Sequence, residues 1–112
     1  LRPISFELTS GKWQQQVCRG FHIHVTSRKT FKPYLASLVL MQLILKFHSD
    51  AFAFELPPYE YEYDRQPIDL ILGSRDIREK IIDMKDVSAL EILWQEELDQ
   101  FISLSKPYYL YG

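Results

Sequence analysis

"FHIHVTSRKTFKPYLASLVLMQLILKFHSDAFAFEL", residues 21–56, decides how this chain is read. Its first six residues alternate, with Phe21, Ile23 and Val25 pointing one way and His22, His24 and Thr26 the other, as in a half-buried strand. From Phe31 to Phe47 the alternation stops, and Leu35, Leu38, Val39, Met41, Leu43, Ile44 and Leu45 spread over most of a helix's circumference. A helix apolar on so many sides is expected to be buried on more than one of them. Thr30 is its expected N-cap, and Pro33 falls in the first turn, where backbone N–H groups lack partners anyway. "AFAFEL", residues 51–56, is a short strand by the same reading. Strand, helix and strand then form a crossover unit, right-handed if the strands are parallel.

Working outward, "ISFEL", residues 4–8, places Ile4, Phe6 and Leu8 on one face of a first strand. Downstream, "PPYEYEYDRQPIDLILGS", residues 57–74, alternates Tyr59, Tyr61 and Tyr63 with Glu60, Glu62 and Asp64. That is an edge strand, since proline cannot donate to a ladder. Pro67 opens a helix that Gly73 stops, and Ser74 caps a second one, "RDIREKIIDM". Ser88 and Glu91 match a capping box, with Asp86 as a competing cap. In the helix that follows, Leu90, Leu93, Trp94, Leu98, Phe101 and Ile102 share one stripe. "PYYLY", residues 107–111, is the last expected strand. The fold class is α+β: residues 1–112 as one small domain, a mixed sheet of three to five short strands packed against three to four helices.

Composition bounds the function. The chain has 112 residues, 46% hydrophobic and 25% charged, enough apolar material to bury a core. A net charge of −2 gives no basic footprint for nucleic acid. The most apolar segment, Leu35–Phe47, is interrupted by Ser37, Gln42 and Lys46 and is far short of the roughly 20 residues of a membrane span. Leu1 opens the chain with no charged-then-apolar leader after it, which is expected of a trimmed chain or a fragment. Cys18 is the single cysteine, so no internal disulfide can form.

No self-sufficient catalytic set emerges from residue chemistry. Glu60 and Glu62 on one strand face would stand about 7 Å apart, inside the roughly 6.5–9.5 Å of an inverting glycosidase. Any E-x-E strand meets that spacing, and acids alternating with tyrosines read as a solvated face. His22 and His24 could seed a metal site, but zinc needs further ligands, and only His48 and Cys18 are of suitable type. No Cys–His–acid order marks Cys18 as a nucleophile, and "GSRDIR" lacks the glycines and lysine of a phosphate loop. The expected site therefore contains no catalytic residue, no metal and no cofactor.

Two blocks carry a family likeness. "LRPISFELTSGKWQQQVCRGFHIHVTSR" with "PPYEYEYDRQPIDLILGS" resembles the C-terminal domain of the exo-β-N-acetylmuramidase family, and "W…EL…F…PYYLY" resembles its closing pattern. Cys18, Gly20, Ile23, His24, Val25 and Thr26 match a C-x-G-x-x-I-H-V-T strand. Tyr61, Glu62, Asp64, Pro67, Ile68, Asp69, Leu70 and Gly73 match a Y-E-x-D-x-x-P-I-D-L-x-x-G block. Arg2, Pro3, Phe6, Thr9 and Lys12 match as well. Departures are Leu8 for proline, Ser10 for phenylalanine, Gln15 and Arg19 for glycines, and Ser27 for aspartate.

The resemblance implies a bacterial, mostly exported glycoside hydrolase that removes terminal N-acetylmuramic acid from peptidoglycan. Its catalytic acids are expected in a Rossmann-like N-terminal domain, absent from these residues. This part would be auxiliary, closing one side of the substrate cleft, with the N-terminal catalytic domain and a peptidoglycan-derived glycan as its partners. An extracytoplasmic location follows from the same resemblance. Arg2, His24, Tyr61 and Glu62 are the expected cleft residues. A plainer reading has Asp64, Pro67 and Asp69 capping and positioning a helix. The alternatives are a self-association module using an exposed apolar face as a homodimer, and a hydrolase working through Glu60 and Glu62.

Overall fold

The computed structural model describes residues 1–111, and two compact units divide the chain between Phe31 and Lys32. In the first, β1 (Arg2–Glu7) and β2 (Val17–His22) form a two-stranded antiparallel ladder in which Arg2 faces His22 and Glu7 faces Val17. Ile4, Phe6, Cys18 and Gly20 share one face, paired Ile4 with Gly20 and Phe6 with Cys18. The second strand thus lies four residues earlier than its expected place at 21–26. Its last partner is Arg2, so residues 23–26 have no strand opposite them and their alternation builds no ladder. In the connecting loop the Gln15 N–H donates to the Leu8 carbonyl at 3.0 Å, and Gln15 itself holds φ +61°.

The second unit is helical: α1 (Pro33–Phe47), α2 (Pro67–Leu72), α3 (Arg75–Ile82), α4 (Val87–Ser105) and a 3₁₀ turn over Lys106–Tyr108. Pro33 takes the first helical position of α1 after Lys32, which displaces Thr30 as the cap. The preset φ of proline suits that position, and its missing N–H is no loss there. Gly73 stops α2 at φ +78°, as its lack of a Cβ allows. Asp86, not Ser88, caps α4, because its carboxylate accepts the Ser88 N–H at 2.9 Å. Glu91 is thereby free of the capping box and pairs with Lys32 instead, tying α1 to α4.

α3 ends two residues before the expected Met84. Lys85 N–H donates to the Lys80 carbonyl, Met84 N–H to the Ile81 carbonyl, and Met84 adopts φ +54°. This is the paired six-to-one and five-to-two closure usually built on glycine.

The core gathers Leu38 of α1, Ile77 and Ile81 of α3, and Val87 of α4, with Leu35, Met41, Leu45, Leu72 and Trp94 packed around them. Each fully buried aliphatic side chain contributes roughly 1.5–3 kcal/mol. Tyr34 hydroxyl donates to the Leu72 carbonyl at 2.9 Å, in the last turn of α2, and Gln42 to the Lys85 carbonyl at 2.7 Å, just beyond α3.

The α+β class holds with two strands in place of three to five. "AFAFEL" forms no strand, although Phe52 and Phe54 touch edge to face at 5.2 Å. The tyrosine–acid stretch folds into a turn, and "PYYLY" begins in the 3₁₀ turn and then runs unpaired. Among the described residues no crossover unit or mixed sheet forms: "AFAFEL" and "PYYLY" join no ladder, and the tyrosine–acid stretch pairs only within itself, Tyr59 with Glu62. Hence α1 is buried on one side only, and Val39, Leu43 and Ile44 remain at least 40% exposed. The same lack of cover leaves Leu98, Phe101 and Ile102 of the α4 stripe exposed.

Candidate functional site

The expected cleft residues divide between the two units. Arg2 and His24 belong to the first, where Arg2 faces His22 in the ladder and the His22 and His24 rings lie 4.3 Å apart, tilted by 37°. His24 itself lies beyond the end of β2 and outside the ladder. Among the described residues no three His, Cys, Asp or Glu side chains gather into a metal-binding group. Cys18 is a half-buried free thiol on β2.

Tyr61 and Glu62 lie in the second unit on a tight turn. Tyr59 and Glu62 exchange backbone hydrogen bonds at 2.9 and 3.0 Å, which places Glu60 and Tyr61 at the two central positions. Glu60 takes φ +53° there. The turn removes the shared strand face that Glu60 and Glu62 would need to act as a pair. It also throws the Tyr61 ring into solvent, 93% exposed.

Glu62 has its carboxylate fully engaged. Oε1 accepts the N–H groups of Asp64 at 3.0 Å and Arg65 at 3.2 Å, while Oε2 accepts from the Arg65 guanidinium at 2.8 Å. These bonds to the charged form, the Asp64 amide foremost, hold its pKa at about 2. A general acid needs the opposite, a pKa raised toward neutrality. Glu62 is therefore an ionised organiser of the turn, and its fixed geometry presents Tyr61.

The same loop leads into a buried ion pair that the sequence reading did not identify. Asp69, in the first turn of α2, is 8% exposed and receives Arg78 of α3 through two nitrogens, at 2.6 and 3.2 Å. The carboxylate in turn raises the Arg78 pKa. Pro67 at the first position of α2 and Asp69 at the third do position a helix, and the helix that Asp69 positions is α3. A signal existed: Arg78 is the charged member of the stripe face of α3, one residue from Ile77 and three from Ile81. Asp64, Arg65, Gln66, Asp69, Arg75 and Arg78 surround a cavity of about 270 Å³. Its guanidiniums are already matched, Arg65 to Glu62, Arg75 to Glu79 and Arg78 to Asp69, so it is a wall of paired charges.

The family model described as "Exo-beta-N-acetylmuramidase NamZ, C-terminal" matches residues 1–111. No curated protein and no solved structure matches the chain.

Proposed function

This chain belongs to the NamZ exo-β-N-acetylmuramidase family as its C-terminal domain, and from that premise we propose that it closes one side of the substrate cleft without supplying the catalytic acids. A glycoside hydrolase acting on peptidoglycan implies a catalytic domain elsewhere in the polypeptide, and that N-terminal domain is the partner. The carrying observation is Glu62: its carboxylate is held ionised by the backbone of its own turn and by Arg65. It is committed to shape. Tyr61, lifted into solvent beside it, offers an aromatic face of the kind that packs on a sugar ring. In the first unit, Arg2 and His24 are the polar groups this reading assigns to glycan contact, and the enzyme works outside the cytoplasm.

The test is release of N-acetylmuramic acid from non-reducing glycan ends by the parent enzyme. Tyr61→Ala and Arg2→Ala raise KM for that release with the fold intact, and the 112-residue chain alone releases none. Unchanged kinetics in both variants would remove the cleft role. A second reading, self-association, is favoured by the exposed stripe of Leu98, Phe101 and Ile102. Sedimentation at rising concentration separates the two, since only the second gives a dimer that Phe101→Ser dissolves.

A further inference from the structure

The second unit holds a cavity of about 390 Å³ that plays no part in the cleft reading. It lies between the start of α1, the α2–α3 turn and the first half of α4. Its size suits a small ligand or a single side chain. One wall is aromatic: Tyr34 and Trp94 meet edge to face with ring centroids 5.4 Å apart, and the Tyr34 hydroxyl is anchored on the Leu72 carbonyl. The polar wall is acidic. Asp76 and Glu97 line the cavity with Ser74, and no Lys, Arg or His does.

We propose that this cavity, with Trp94 and Tyr34 set against Asp76 and Glu97, binds an alkylammonium group the size of a lysine side chain. A cation is drawn to the face of an aromatic ring, tryptophan best of all, and a carboxylate beside it adds to the attraction. Glu97 is the principal counter-charge: it carries no ion pair among the described residues, whereas Asp76 also pairs with Lys80 one turn along α3. The floor, Ile77 and Leu72, is apolar and accommodates the methylene stem behind the charge.

The experiment is an NMR titration of the 112-residue chain with N-acetyl-lysine methylamide, followed at the Trp94 indole and the Gly73 and Ser74 amides. Trp13, the only other tryptophan, lies in the first unit and serves as the internal control. Saturable shifts at those three groups are expected, weakened by added salt and roughly threefold to fivefold by Glu97→Gln, an exposed substitution that leaves the core untouched. The norleucine analogue, which keeps the stem and lacks the charge, produces none. Equal binding of the norleucine analogue, preferential binding of N-acetylglucosamine, or no shifts at tens of millimolar lysine probe would each overturn the assignment. Glycan release by the parent enzyme does not enter this readout, so this site and the cleft role stand or fall separately.

Discussion

Arg78 grips Asp69 with two nitrogens, Nε on Oδ1 at 2.6 Å and Nη2 on Oδ2 at 3.2 Å, and so clamps α3 to the first turn of α2. Both side chains are largely out of water, at 13% and 8% exposure. Removing one partner leaves the other charge buried without compensation, which is worse than losing the attraction itself. Asp69→Ala is therefore expected to cost about 3 kcal/mol, read as a fall in the urea midpoint of the helical unit. Arg78→Lys is expected to cost nearly as much, since an ammonium cannot reproduce the two-nitrogen grip.

The Glu62 turn predicts a pH dependence. Its carboxyl ionises at about 2 in the folded chain against 4.5 ordinarily, because its bonds to Asp64 and Arg65 favour the charged form. Lowered in the folded state, it contributes stability fully present above pH 4.5 and lost as pH falls toward 2. Glu62→Gln removes that contribution. Wild type is expected to be the more stable at neutral pH, with the gap closing between pH 4.5 and 2 in paired urea titrations.

Met84 closes α3 in the left-handed region at φ +54°, where an L side chain is strained and glycine is not. Met84→Gly is expected to raise the stability of the helical unit by about 0.5–1 kcal/mol, and Met84→Val to lower it by at least as much. Calorimetry of the two variants tests the sign. Gln15, at φ +61° in the hairpin loop, predicts the same ordering for Gly and Val there.

Burial along the helices predicts an uneven mutational map. Leu38 is fully buried, and Leu38→Ala is expected to cost roughly 2–5 kcal/mol. Phe101→Ala, on a residue 65% exposed, is expected to change the stability of the isolated chain by less than about 0.5 kcal/mol. Chemical denaturation of both distinguishes a true core position from one that merely repeats with helical period.

What the sequence determined by itself is local. Pro67 and Gly73 bracket α2 because proline presets φ and glycine tolerates the left-handed region. The long apolar run becomes α1, being longer than a strand and rich in helix formers, and the stripe from Leu90 to Ile102 becomes α4 because its period matches a helix. The Y-E-x-D-x-x-P-I-D-L-x-x-G block carried the family. Pairing was decided only in three dimensions. "AFAFEL" and "YEYEY" alternate and "PYYLY" is rich in strand-forming tyrosine, yet none is a strand, because a strand exists only where another backbone accepts its hydrogen bonds, and no local pattern encodes that partner. For the same reason β2 lies at Val17–His22, under β1, and not at the cleaner alternation that follows it. Tertiary structure also turned Glu62 from one of a spaced pair of acids into the ionised centre of a turn, since its pKa depends on which N–H groups point at it. Asp69 and Arg78, nine residues apart, became a buried pair only when α2 and α3 folded against each other.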